Sequence, residues 1–481
     1  MQIPKEYKVS FYSALAIFIL TALFSTGYHH FDEHYQIMEF CNYKMGYSPA
    51  SELAWEYHAQ IRPGLQPFIA YCFANVLNGL GIYNPFLLTT LLRLMMAILS
   101  WWAISKLILQ LLSDFTTSRG KMLFVLSGFL LWYVPYVSVR FSAEAFSSVF
   151  FLLACSQILK QERTGKNVLL AGLLLGVAWV ARIQLGFAFV GIGIWMLMNK
   201  WSLKHWFLMG MAFVLAVAAC SIPDYWLYDT WTLVPYNYFN ENILHSKAAS
   251  FGEMPWWGYF EMFLMNGVPP ISILLLILFF RGIWQKPKHL FSLACITFFL
   301  GHFAIGHKEM RFLFPLSFPF GYLVAVGIEA FIQGFQSKKF YRIGFKVLII
   351  MNILLLLYAA FHPAQDTIQY YKYMYKSANK GTVTLICLNE SPYNRVTLES
   401  NFYKHTNLNI IVLDNLEQLS DTLDAIHTDE VYYFSPRQVD KETVEKYNME
   451  RVYSSLPDWL LKFNFNNWQE RTKVGTIYRL I

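Results

Sequence analysis

The chain has 481 residues, of which 56% are hydrophobic and only 14% charged, against the roughly 25% charged residues of a typical soluble domain. That balance excludes a soluble globular protein. The net charge of +7 comes largely from short loops between apolar runs, where it sets membrane orientation rather than binding nucleic acid.

Apolar stretches predict eleven membrane spans, at 9–26, 86–112, 121–139, 143–159, 168–182, 184–199, 205–222, 262–280, 290–306, 312–332 and 344–361. The first span has no small-residue cleavage site after it and reads as a retained anchor. The run 65–82 is apolar but carries Gln66, Asn75, Asn78 and two glycines. It is expected to be an interfacial or re-entrant helix covered by protein. With that assignment, sixteen cations (Lys5, Lys8, Arg119, Lys121, Lys160, Arg163, Lys166, Lys200, Lys204, Arg281, Lys286, Lys288, Lys338, Lys339, Arg342 and Lys346) fall on the cytoplasmic side. Seven (Lys44, Arg62, Arg140, Arg182, Lys247, Lys308 and Arg311) fall opposite before residue 362. The positive-inside rule favours this arrangement, with the chain starting in the cytoplasm and ending outside it.

After residue 361 the pattern changes. β-rich runs ("TVTLICL", "NIIVLD", "VYYFS") alternate with helix-compatible stretches such as "NLEQLSDTLDAI", predicting a small α/β domain on the non-cytoplasmic side. The expected organisation is a polytopic α-helical membrane domain over 1–361, with 27–85 as a first external loop carrying interfacial helices, and an α/β domain over 362–481. No internal repeat supports the plan of many transporters. The cysteines Cys41, Cys72, Cys155, Cys220, Cys295 and Cys387 show neither metal-ligand nor disulfide spacing, and no metal or cofactor is expected.

The unusual polar groups cluster on one face of this topology. "HHFDEHYQIMEF" (29–40) follows the first span and brings Asp32, Glu33 and Glu39. Glu56 and Arg62 lie in "WEYHAQIRPGLQPF", Arg140 and Glu144 in "VRFSAEAF", and Arg182 in "ARIQ". Asp224, Asp229, Trp231, Asn237 and Asn240 lie in "DYWLYDTWTLVPYNYFNEN". His307, Lys308, Glu309 and Arg311 crowd into "HKEMRF", a very short external loop where the positive-inside rule disfavours cations, so a fixed anion is a good reason for them. Arg93 lies about 10 Å inside the second span and needs a partner or a wet cavity. Bland readings stand beside these. Asp32 and Glu33 fit solvated loop acids, Arg62, Arg140 and Arg182 fit snorkelling anchors, and "PWWGYF" (255–260) fits an interfacial aromatic belt. His29, His30 and His34 show no ligand geometry.

An acid pair on one loop and a cation cluster on another suit attack on an anomeric carbon. A carboxylate takes the acceptor hydroxyl's proton, and cations hold the charge of a departing phosphate. One base with no second carboxylate partner suits single displacement with inversion.

Five stretches carry a resemblance to glycosyltransferase family 22. "FDEHYQIMEF" resembles its "HPDE-aromatic-xQ-xxE" stretch, with Phe31 in place of proline. "AWEYHAQIRPGLQPFIA" resembles "TWEW…RSYxYP", and "DTWTLVPYNYFNENIL" resembles "GxWTLVxxNFxxxNxL". "HKEMRFLFPL" is close to "HKExRFxxP", the most specific of the set, and "ICLNESPYNR" is distantly similar to "PCHSTPYYS". Within the family the nearest branch adds the third mannose of GPI anchors. The resemblance implies a GT-C membrane fold and transfer of mannose from a polyprenyl- or dolichyl-phosphate-mannose donor, forming an α-mannoside with inversion. It implies Asp32 as base, Glu33 as the neighbouring acid, and His307, Lys308, Glu309 and Arg311 near the donor phosphate. "VRFSAEAF" keeps Arg140 and Glu144 but lacks the "TRTxxNxxE" spacing of close relatives, which leaves the acceptor open.

The expected function is therefore an inverting lipid-phosphate-mannose transferase acting on a glycan or glycolipid. Asp32 and Glu33 are catalytic; His307, Lys308, Arg311, Arg62, Arg140 and Arg182 bind the donor phosphate; Glu56, Trp231, Asn237 and Glu309 line the sugar or acceptor groove. The expected partners are the lipid-linked donor, the acceptor and membrane lipids, with no nucleic acid. A bacterial inner membrane with a periplasmic active face is expected, with the endoplasmic reticulum and a lumenal face as the alternative. The rival readings are a lipid-linked sugar transporter or flippase, a non-catalytic assembly subunit, and a transferase using another lipid-phosphate sugar.

Overall fold

The computed structural model describes residues 2–335, 339–395 and 397–481. Lys338, counted above among the cytoplasmic cations, lies outside them. The protein is a multi-pass integral membrane protein. Among the described residues, five helices are long and apolar enough to cross a membrane: Lys5–Phe24, Pro85–Asp114, Leu203–Tyr228, Met310–Phe331 and Ile343–Phe361. Five shorter apolar helices stand with them, at Ala143–Ile158, Gly165–Ala181, Ile183–Met198, Ile271–Gln285 and Leu290–Ala304.

Four predicted spans differ in detail. The stretch 121–139 is two helices, Ser118–Leu130 and Tyr133–Ser138. The break frees backbone groups that lipid cannot satisfy, and Asn352 supplies both partners. Its Oδ1 accepts from the Trp132 N–H (2.9 Å) and its Nδ2 donates to the Leu130 carbonyl (2.8 Å). The stretch 262–280 is interrupted at "GVPP", giving helices Gly258–Asn266 and Ile271–Gln285, because proline cannot continue a helix and restricts the residue before it. The seventh span runs on to Tyr228 through Pro223, so Asp224 sits in its last turns rather than in a loop. The tenth opens as a 3-10 helix, Met310–Leu316, before Ser317–Phe335. The helix Leu65–Gly79 has 15 residues, shorter than the five long spans.

Arg93 finds its partner inside the membrane unit. It is 3% exposed, and its Nε donates to the Ala22 carbonyl (2.8 Å) in the last turn of the first helix, with Nη2 on Thr90 Oγ1 (3.0 Å). A cation at a helix C-terminus also meets the negative end of the dipole.

The chain divides into two compact units, and the division differs from a single boundary at residue 361. One unit comprises Met1–Thr26, Trp55–Phe73 and Thr90–His362; the other comprises Gly27–Ala54, Ala74–Thr89 and Pro363–Ile481. The second is built on a five-stranded sheet. Its strands are β1 Val383–Leu388, β4 Leu408–Leu413, β5 Glu430–Ser435, β6 Met449–Ser454 and β7 Thr476–Leu480; β2 Asn394–Arg395 and β3 Leu398–Glu399 form a separate small pair. The order is β4-β1-β5-β7-β6, with β1 parallel to β4 and β5, and β7 antiparallel to β5 and β6. The three predicted strands are β1, β4 and β5, and the predicted helix is Gln418–Ala425. A central parallel strand is covered on both faces, which is why β1 reads as a near-continuous apolar run. Ile386, Leu413, Leu419, Tyr433, Met449 and Tyr478 form the core beside it.

Candidate active site

The acids of "FDEH" lie in the sheet-bearing unit. Residues Phe31–Glu33 form one helical turn, capped by His30, whose Nδ1 accepts from the Asp32 N–H (3.2 Å). The turn opens into a π-helical turn, His34–Met38, and then an α-helix, Glu39–Lys44. Such insertions recur at functional sites. The two acids are unequal. Glu33 is buried and folds back, its Oε2 accepting from the His29 N–H (2.9 Å). The Asp32 side chain is 22% exposed, with Oδ1 3.5 Å from His30 Nδ1. Asp32 is thus the more accessible of the two carboxylates, while Glu33 is tied back into its own loop.

The cation cluster lies in the membrane unit, centred on Glu144 and Glu309. Glu144 opens the helix Ala143–Ile158, and its Oε1 is 3.2 Å from Arg182 Nη1 and 3.4 Å from Arg311 Nη1. Arg311 also forks onto Glu309, Nε to Oε2 at 2.6 Å and Nη2 to Oε1 at 3.0 Å, the bidentate geometry that makes such pairs strong. Both guanidiniums lie over Phe312, at 4.6 Å for Arg182 and 5.2 Å for Arg311. Arg182 Nε and Nη2 are buried with no hydrogen-bond partner among the described residues. Buried donors are normally paired, which singles out this guanidinium as a candidate anion-binding group.

His307 sits between two acceptors, Nδ1 2.9 Å from the Gly252 carbonyl and Nε2 3.0 Å from Glu309 Oε1. Only the imidazolium donates from both nitrogens. The Glu309 hydrogen bond, outweighing partial burial, raises its pKa above the usual 6.5. Lys308 is directed elsewhere. Its ammonium reaches the carbonyls of His302, Phe303 and Ile305 at the end of the helix Leu290–Ala304 and lies 5.6 Å over the Tyr259 ring. It caps that helix.

The other candidates spread around this core. Arg140 is 1% exposed, with Nη2 on Ser25 Oγ (2.5 Å) and Nε on the Tyr136 carbonyl (3.3 Å). Arg182 is 5% exposed. Neither is a snorkelling anchor, since both guanidiniums are held inside protein. Arg62 is 3.7 Å from Glu56 and 6.0 Å over Tyr238. Asn237 Nδ2 donates to the Gln60 carbonyl (3.2 Å) and Thr232 Oγ1 (2.9 Å), tying the segment after the seventh span to the stretch that carries Arg62. Trp231 is 69% exposed and packs on Tyr225 at 4.7 Å.

Several neighbours were not anticipated. Gln184 donates to Tyr238, which bridges the Arg182 and Arg62 segments. His302 is 1% exposed, with Nδ1 on the Phe298 carbonyl (2.9 Å) and Nε2 unpartnered among the described residues. The available signal was a lone histidine in an apolar run, five residues before "HKEMRF"; Gln184 and Tyr238 carried none.

The model of the Alg9-like mannosyltransferase family matches residues 10–396, most of the chain and both constellations. The chain belongs to that family. Among curated relatives of this Alg9-like chain is GPI alpha-1,2-mannosyltransferase 3 of Bos taurus, 25% identical over 296 residues, covering 59% of this chain and 52% of that protein. GPI mannosyltransferase 3 of Candida albicans is 25% identical over 339 residues, covering 67% and 62%. The matches thus span about half to three fifths of the length of these relatives. The crystal structure of ArnT from Cupriavidus metallidurans bound to undecaprenyl phosphate superposes with a TM-score of 0.55 at 10% identity, covering 100% of this chain and 99% of that one. The Alg9-like chain therefore has the GT-C membrane fold.

Proposed function

We propose that this protein is an inverting mannosyltransferase. It moves mannose from a polyprenyl- or dolichyl-phosphate-mannose donor to a glycan or glycolipid hydroxyl at the non-cytoplasmic membrane face. The observation that carries the reading is the pair of buried Arg182 donors, Nε and Nη2, left unpartnered beside a second guanidinium, Arg311, that shares the same carboxylate. A phosphate suits those two donors in charge and in planar fork geometry. Family membership supports the sugar, and the GT-C fold supports a lipid-borne donor.

In this reading Asp32 removes the proton of the acceptor hydroxyl as its oxygen attacks the anomeric carbon. The bond to the donor phosphate breaks, and Arg182, Arg311 and the His307 cation stabilise the charge on the leaving oxygen. Glu33 orients the acid loop. Lys308, Arg62 and Arg140 add to the positive field; Glu56, Asn237, Trp231 and Glu309 are the proposed acceptor- and sugar-side residues. The positive-inside distribution supports a site on the non-cytoplasmic face, and the short loops between spans support a bacterial inner membrane with that face towards the periplasm, the endoplasmic reticulum lumen being the alternative.

The test is mannose transfer by purified protein in detergent, with synthetic polyprenyl-phosphate-mannose and a pool of lipid and glycan acceptors read by mass spectrometry. Wild type runs beside Asp32→Asn and Arg311→Ala. Transfer lost in both variants is the expected result. Near-wild-type turnover by a folded Asp32→Asn protein removes the base assignment, and absence of donor binding to wild type removes the donor class.

A further inference from the structure

The sequence "ICLNESPYNRVTLESNFY" runs out of β1 and carries a motif that the reaction itself does not use. Its first turn is rooted in the sheet-bearing unit. Tyr371 and Tyr370 donate to the Pro392 carbonyl (2.7 and 3.3 Å), and the Ser400 N–H returns to the Tyr393 carbonyl (2.7 Å). From that root, three consecutive contacts reach the acid-bearing helix of the same unit. Ser400 Oγ is 2.8 Å from Tyr35 Oη. The Phe402 N–H donates to Glu39 Oε1 (3.0 Å). The Tyr403 ring stacks on His34, centroids 5.4 Å apart and planes within 5°, and Tyr28 also stacks on His34 at 4.9 Å and 16°. Glu39 Oε1 also lies 2.9 Å from His34 Nε2. All of these residues are buried, with His34 at 1%, Glu39 at 3% and Ser400 at 0% exposure.

The π-turn explains how His34 and Glu39 meet. Five residues apart, they would be about 140° from each other around an α-helix of about 100° per residue. Widening the turn over His34–Met38 to bonding between i and i+5 turns them to one side. The helix therefore presents His34, Tyr35 and Glu39 to residues 400–403, and Asp32 is two residues before the first contact.

Resting on the reading of Asp32 as the base, we infer that Ser400, Tyr403, Tyr35, His34 and Glu39 are positioning residues. Residues 400–403 of the C-terminal domain fix the helix that aims Asp32 at the acceptor hydroxyl. None of them touches the reacting atoms. A displacement of the order of 1 Å at a base costs about 100-fold in rate, so loss of one contact should be felt in turnover.

The test compares Ser400→Ala, Tyr35→Phe, Tyr403→Leu and Tyr403→Phe with Asp32→Asn in the full-length protein. It measures kcat, donor KM and thermal midpoint. The expected result is a fall in kcat of roughly 10-fold or more for Ser400→Ala, Tyr35→Phe and Tyr403→Leu. Donor KM should stay within about twofold and the midpoint near wild type for the two hydroxyl deletions, with Tyr403→Phe restoring most of the rate because the stack remains. Full kcat in Ser400→Ala, Tyr35→Phe and Tyr403→Leu with an inactive Asp32→Asn overturns the inference and leaves the base standing. Rate and midpoint falling together in the hydroxyl deletions also overturn it, as a folding effect. Turnover retained by Asp32→Asn removes the base reading, and the inference with it.

Discussion

Replacing Glu144 by glutamine should weaken the fold and tighten phosphate binding at once. The Glu144 side chain is 3% exposed, and its Oε1 meets Arg182 at 3.2 Å and Arg311 at 3.4 Å. At an effective dielectric of about 20, each of these contacts is worth roughly 5 kcal/mol of gross Coulomb energy. Most of that offsets the desolvation of the three groups. Removing one member of a buried ionic set typically costs about 3–5 kcal/mol, and the lower end applies here because the amide oxygen still accepts a hydrogen bond. We expect about 3 kcal/mol less stability, read as a lower midpoint in tryptophan-fluorescence melting. The same change frees two guanidiniums from a competing carboxylate. Binding of a polyprenyl phosphate or phosphate-bearing donor should tighten by roughly 10-fold, or about 1.4 kcal/mol, with a steeper salt dependence. The assay is titration in detergent at two ionic strengths, with Arg311→Ala as the negative control. Lower stability with unchanged or weaker anion binding would sink the reasoning: the arginines would then be a structural salt bridge, not a phosphate cradle.

Donor affinity should also depend on His307. Its folded pKa is raised above 6.5 mainly by the Glu309 hydrogen bond, so its charge and that contact are complete below about 6.5 and are lost as pH rises through the raised value; donor KM should climb over that interval, and His307→Gln should flatten the profile. Lys308→Met should lower the thermal midpoint more than it raises donor KM, because the ammonium caps the helix Leu290–Ala304; a selective KM effect would return it to the phosphate site. Gly64→Ala should be severely destabilising, since a methyl there collides with the Pro223 carbonyl and displaces the Gly64 N–H from Asp224 Oδ1 (2.6 Å); an unchanged melting curve would contradict the observed close approach.

Much of this protein is written locally. Membrane spans follow from apolar length, and the strands and the helix Gln418–Ala425 follow from alternation and composition. The two constellations announced themselves because charge beside a membrane is expensive and stands out from an apolar background. The pair Asp32 and Glu33 and the loop "HKEMRF" stood out for that reason, while the choice of Asp32 over Glu33 came from the family resemblance.

What required the tertiary structure is the partnering. Glu144, Arg182 and Arg311 are far apart in sequence, and nothing in their spacing says that one carboxylate serves both guanidiniums. Asn352 bridging the break at Leu130–Trp132, Arg93 on the Ala22 carbonyl, and Lys308 turned to a helix end are choices between equally available acceptors, made by the packing of distant helices. The placement of Gly27–Ala54 with the sheet-bearing unit follows the same rule. Hydrophobic length is a property of consecutive residues and is legible along the chain. Hydrogen-bond satisfaction of buried polar groups is a property of the closed structure, settled only when every donor has met its acceptor.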